Sequence, residues 1–365
     1  GEPAKVAAQI LADYRELTAI PHAQPIKEKR RWRGISPLLL IVLVSSKPLE
    51  AMGYFLTGPL KNTRRFFNVI EAAIPLVFTG LAVSMLFSAN MSNMSTEGAF
   101  YMACAASSYC AVVLHLPAFW HVVVCLLVGT VTGAIIASIP GVLRVKWDAN
   151  ELVSSLMLNY VCLYMANYII RVKIGDTSLG IMTSKKFQAT AKLPVIIPGS
   201  RIHLGLVFAL ILVIVCFLLM YRSKLGYAIR MTGKNSAFAR YVGTSVSGTI
   251  LISQLLGGAI AGLGGATEML GIYSRFQYQG QPGYGFDGLI IAILAGYNPA
   301  LVPVAALFLA YINTGADIMN RMSDVPSEIV SIMQTIIVVL VVAKMFLNNM
   351  KHKAIVRNAQ KNLGE

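Results

Sequence analysis

Long apolar runs alternate along the chain with short polar and mostly basic interruptions. Apolar segments fall near residues 35–49, 66–90, 97–114, 117–143, 151–170, 203–221, 249–273, 286–297, 300–318 and 328–347. Most approach the ~20 residues that a helix needs to cross a bilayer, whereas 35–49 and 286–297 are short for a full crossing. The pattern predicts an all-α polytopic membrane protein with about ten transmembrane helices over 35–347. It is flanked by an N-terminal segment, 1–34, and a basic tail, 348–365. In the first of these, Val6, Ile10, Tyr14 and Leu17 share one helical face, and Lys27, Lys29, Arg30, Arg31 and Arg33 follow. This reads as an amphipathic helix on the cytoplasmic membrane surface. With so long a polar stretch before the first apolar run, no cleavable signal peptide is expected.

Composition agrees with the pattern. The 365 residues are 56% hydrophobic and 13% charged, about half the roughly 25% charged content of soluble domains. The net charge of +15 does not indicate a nucleic-acid partner, because the basic residues are spread over short loops and tails. They sort by side instead. With both termini in the cytoplasm, residues 1–34, 144–150, 222–248 and the tail from Lys344 hold 19 of the 31 Lys and Arg, as the positive-inside bias requires. An outer loop, 171–202, then faces the other side.

Two small-residue seams mark close helix packing: Gly129 with Gly133, and Gly258 with Gly262 overlapping Ala261 with Gly265. Small residues let backbones approach where lipid supplies no hydrophobic drive. An internal echo is also visible. TEGAFYMACAA from Thr96 and FDGLIIAILAG from Phe286 each place an acid and a Gly before an apolar run, and each follows a long span. Those two spans run in opposite directions by the charge count. Spans two to five against seven to ten therefore predict an inverted repeat, with interrupted half-helices at matching positions.

Candidate chemistry is sparse. The five cysteines sit inside apolar runs without metal or redox spacing, and the five histidines form no HExxH pair; no metal site and no catalytic residue is expected. Gly226 and Gly233-Lys234 do not make a phosphate loop, since six residues separate the glycines and Asn235 follows the Lys. Glu71, Glu97 and Glu268 lie in or beside apolar segments and have to face protein or water. Glu97 and Asp287 are read both as helix N-terminal acids and as pathway-lining groups. Asn159 and Tyr160, deep in a span, need partners on another helix or on a solute. The polar loop 222–248 lies between two full-length spans, and Asn235 before Ser236-Ala237-Phe238-Ala239 predicts a capped short helix.

Four motifs in order, on this span pattern, carry a resemblance: Asn93-Met-Ser-Thr-Glu97-Gly98, Glu151 through Asn159-Tyr160, Gly233-Lys-Asn235 through Arg240-Tyr241-Val-Gly243, and Pro282 through Asp287-Gly288 to Asn298-Pro299. From about residue 36 onward the chain resembles the inner-membrane permeases of bacterial ABC importers, in the branch for simple sugars and nucleosides related to the branched-chain amino-acid permeases. Ser95, Ala99, Phe238 and Thr244 depart from the family's usual residues. The resemblance implies a permease subunit with no cofactor of its own, ATP and Mg being held by a partner ABC ATPase. It also implies a second permease subunit, often a paralogue, and an extracytoplasmic solute-binding protein. The solute would be a nucleoside, a simple sugar or, as a variant, riboflavin. Gly233, Asn235, Phe238, Arg240, Tyr241 and Gly243 would couple to the ATPase, and Asn93, Glu97, Asn159, Tyr160, Asp287 and Asn298 are pathway or gating candidates. The competing expectation is a self-sufficient ion-coupled transporter working through Glu71, Glu97 or Asp287.

Overall fold

The computed structural model describes residues 47–176 and 182–339. The expected N-terminal helix, nearly all of the first span, the end of the last span and the basic tail lie outside the described residues. Within them the chain is almost wholly helical: α1 Pro48–Thr57, α2 Thr63–Ser88, α3 Thr96–Val113, α4 Ala118–Trp147, α5 Glu151–Ile169 running into a π turn Ile170–Ile174, α6 Gly205–Arg222, α7 Lys224–Lys234, α8 Ser236–Tyr241, α9 Val246–Ile272, α10 Tyr284–Leu294 and α11 Val302–Met322. A final apolar helix, α12, covers Ser327–Val339. The connection from α5 to α6 is fastened by two isolated bridges, Gly175 with Ser184 and Val195 with His203.

Six of these helices are long and apolar enough to span a membrane: α2, α4, α5 with its π turn, α6, α9 and α11. The others explain the remaining apolar runs. The 18 residues of α3 are buried on nearly every side, so it is enclosed by other helices, and its Ser, Tyr and Thr content is tolerated there. At 11 residues, α10 reaches only ~16 Å at 1.5 Å per residue, about half the hydrocarbon thickness. The expected span 286–297 is thus a half-length helix. One element, α1, was not foreseen, because ten residues give too little pattern. It packs on α11, where Gly315 meets the Phe55 carbonyl and Gly58 meets Ile318.

The packing interchanges the two halves of the sequence. In the first half, α2 packs on α10 and α11 of the second; in the second half, α9 packs on α3 and α4 of the first; and α2 and α9 pack on each other. The two glycine seams meet where α9 packs on α4. A Cβ on Gly133 would lie 2.4 Å from the Gly258 carbonyl oxygen, and one on Gly262 would lie 2.3 Å from that of Gly129. Backbone rests on backbone, which only glycine permits.

Candidate functional site

Two places in the fold gather the residues singled out in the sequence. The first is the meeting of α3 and α10. Irregular backbone precedes each helix, and both begin with an acid in the first turn, Glu97 and Asp287. Glu97 is fully buried. Its carboxylate does not cap its own helix but accepts the backbone N–H of Gly283 at 2.7 Å and of Gly285 at 2.5 Å, at the start of α10. The fit needs glycine, since a Cβ on Gly285 would come within 2.4 Å of the Glu97 nitrogen, and Gly283 takes φ +85°. Two helix N-termini, each with partial positive charge, thus face one another with a carboxylate between them.

Asn159 of α5 ties the same junction. Its Oδ1 accepts the Gly98 N–H at 2.9 Å, its Nδ2 donates to the Met94 carbonyl at 3.0 Å, and its own carbonyl accepts Gln281 Nε2 at 2.7 Å. Asn93 donates to the Ala137 carbonyl at 2.9 Å and to Gln254 Oε1 at 2.7 Å, while its Oδ1 accepts the Ser95 N–H. Asp287 is half-buried in the first turn of α10, and on the neighbouring helices Gln334 Nε2 donates to Asn313 Oδ1 at 2.5 Å, so α11 and α12 are linked. Gln254, Gln281, Asn313 and Gln334 were missed in the sequence. Their signal was a long amide side chain inside or beside an apolar run, the same signal that identified Asn159.

Not every candidate joins this junction. Tyr160 is 61% exposed and points away from the face that carries Asn159. Asn298 forms a turn instead: its Oδ1 accepts the Ala300 N–H at 3.1 Å and its carbonyl accepts Leu301 N–H, which leads the chain through Pro299 into α11.

The second place is the hairpin of α7 and α8. Ser223 opens α7 by accepting the Gly226 N–H at 3.0 Å, and Asn235 opens α8 by accepting the Phe238 N–H at 2.9 Å. Gly243 closes α8 in the left-handed region at φ +87°, as helix C′ glycines do. One face is rooted in the bundle. Ile229, Thr232 and Ala239 are buried, and a Cβ on Gly226 or Gly233 would lie 2.1 Å from the carbonyl oxygen of Leu219 or Ser88 respectively. Gly233 is therefore a packing glycine against the end of α2, and the free face belongs to its neighbours. Phe238 is 52% exposed and Tyr241 91% exposed, and Arg240 is exposed beside them. Tyr227, Arg230, Met231, Lys234, Asn235 and Phe238 line a groove of about 310 Å³, and the Arg230 guanidinium lies 4.9 Å from the centre of the Tyr221 ring. The groove is basic, with aromatic rims.

Among the described residues no three metal-ligating side chains cluster. The model of the branched-chain amino acid transport system permease component matches residues 65–342. A glucose ABC transporter permease of Haloferax volcanii is 31% identical over 84% of this chain and 83% of its own. A guanosine ABC transporter permease of Bacillus subtilis is 32% identical over 84% and 90%, and a nucleoside ABC transporter permease of Lactococcus lactis is 27% identical over 87% and 93%. No solved structure matches the chain. With a bundle of membrane-spanning helices, a basic hairpin rooted at the end of α2 and a family match across nearly all of the described residues, the chain belongs to the ABC transporter permeases of the branched-chain amino-acid, sugar and nucleoside type.

Proposed function

We propose that this permease forms half of the pathway of an ATP-driven importer in the cytoplasmic membrane, with both termini inside, and passes a nucleoside or a simple sugar. The observation that carries the reading is the α7–α8 hairpin, with Phe238, Arg240 and Tyr241 outward and glycine-tight contacts on α6 and α2 inward. A push on its free face reaches α2, which packs on both α10 and α11 of the other half. ATP hydrolysis lies on a partner ATPase, a second permease completes the pathway, and a binding protein delivers the solute from outside. Glucose and guanosine appear in the names of the relatives near 30% identity; a probable riboflavin import permease of Treponema pallidum is 22% identical, which makes riboflavin the lesser reading. Ion coupling through Glu97 is disfavoured by geometry, because both of its oxygens are engaged by peptide N–H groups. Uptake into proteoliposomes holding the whole complex decides. Replacing the ATPase's phosphate-loop Lys is expected to abolish uptake, whereas uptake that persists and follows an imposed proton or sodium gradient contradicts the proposal.

A further inference from the structure

Glu268 is the buried acid that neither the half-helix junction nor the hairpin uses. It is 2% exposed near the end of α9; its Oε1 lies 3.5 Å from the Tyr284 hydroxyl, and its Oε2 has no hydrogen-bond partner. A carboxyl oxygen withdrawn from water without a partner is costly, so such a group calls for a ligand. Its surroundings are aromatic and half-buried. The Tyr284 ring meets Phe100 edge-on at 5.4 Å, and Tyr278 and Tyr273 lie 5.2 Å apart with their hydroxyls joined at 3.3 Å.

A second unpaired atom lies close by along the helix. The His203 ring covers Gly271, one turn of α9 beyond Glu268. Its Nδ1 accepts the Gly205 N–H at 3.1 Å, which leaves the proton of the neutral imidazole on Nε2, and Nε2 has no partner. An acceptor and a donor, both buried and both unpaired, therefore lie at positions three residues apart on α9, about 4.5 Å along its axis. Glu71 on α2 pairs with Arg201 at 4.0 Å.

We infer that this cluster is a solute subsite on the outer side of the pathway. It takes a neutral ring that presents adjacent N–H or O–H donors, as a purine nucleoside and a pyranose sugar both do. Glu268 accepts from those donors, His203 Nε2 donates to a ring or hydroxyl oxygen or nitrogen, and the tyrosines pack on the ring face. The inference rests on the chain being a permease for such solutes, but its test needs no ATPase. The full chain in nanodiscs is offered guanosine in one arm and glucose in the other, and binding is followed by saturation-transfer NMR. One arm is expected to respond to the unmodified protein and so to name the source. Glu268→Gln, close to isosteric, is expected to weaken that binding about tenfold, as loss of a hydrogen bond to a charged group does. Tyr284→Phe, which keeps the ring, should weaken it at least twofold and decides alone where the first variant does not insert. Binding of neither probe, or affinities within twofold of the unmodified chain in both variants, overturns the subsite. Either result leaves the ATP dependence of uptake as it was.

Discussion

The Glu97 carboxylate on α3 accepts the Gly285 N–H on α10 at 2.5 Å, so an acid in the first turn of one helix caps a helix from the other half of the chain. Removing it leaves the buried N–H of Gly285, worth about 1–3 kcal/mol, and the part-buried N–H of Gly283 without an acceptor. Glu97→Ala is expected to lower the thermal unfolding midpoint of the solubilised chain and to reduce transport. Gly285→Ala is expected to do the same, because its methyl group meets the backbone at Glu97. An unchanged midpoint in both variants would show that the junction does not hold the halves together.

The glycine seam gives a second outcome. Gly262→Ala sets a methyl group 2.3 Å from the Gly129 carbonyl oxygen, where no flexible side chain can yield. Overpacking of this kind costs about 1–3 kcal/mol. Gly53→Ala, with nothing within 4 Å, is the matched control. Detergent-melting curves are expected to fall for the first and hold for the second.

At the hairpin, Asn235→Ala removes the acceptor of the Phe238 N–H, a cap worth about 0.5–2 kcal/mol. Amides of 236–241 are expected to exchange with deuterium several-fold faster while those of α9 keep their protection. Uniform exchange across both helices would mean that the hairpin does not open independently of the bundle.

Much of the bundle was legible because lipid imposes length: the runs at 66–90, 117–143, 151–170, 203–221, 249–273 and 300–318 each correspond to a helix that can span. The half-length of α10 was visible as a short run, whereas the run at 97–114 was counted as a span and the enclosed position of α3 was not foreseen. What the sequence could not do was choose between neighbours. Asn159 and Tyr160 are adjacent and equally polar, yet successive helical residues point about 100° apart, so one is buried in the junction and the other faces outward. Asn298 was read with the pathway, although Asn before Pro is a turn signal, and a turn is what it makes. Glu97 was read as an acid at its own helix N-terminus and as a pathway-lining group; that it caps α10 depends on two segments 186 residues apart, which no local pattern encodes.

Topology is testable without function. Single cysteines replacing Ser236, in the exposed hairpin, and Lys186, exposed in the outer loop, are offered a membrane-impermeant thiol reagent in sealed right-side-out vesicles; the five native cysteines are buried. Labelling is expected at position 186 and not at position 236. The reverse pattern would invert the bundle and place the hairpin beyond the reach of a cytoplasmic ATPase.

The central claim is that the free face of α8 carries ATPase motion into the bundle. Truncating an interface anchor costs ~2 kcal/mol or more, roughly thirtyfold in affinity, and Tyr241 at 91% exposure has little folding role to lose. The most direct measurement is ATP-driven uptake by reconstituted complexes carrying Tyr241→Ala or Arg240→Glu, with ATPase retention and hydrolysis read on the same samples. The account predicts folded permease, with hydrolysis uncoupled from uptake or the ATPase lost. Unchanged retention, hydrolysis and uptake in both variants would contradict it.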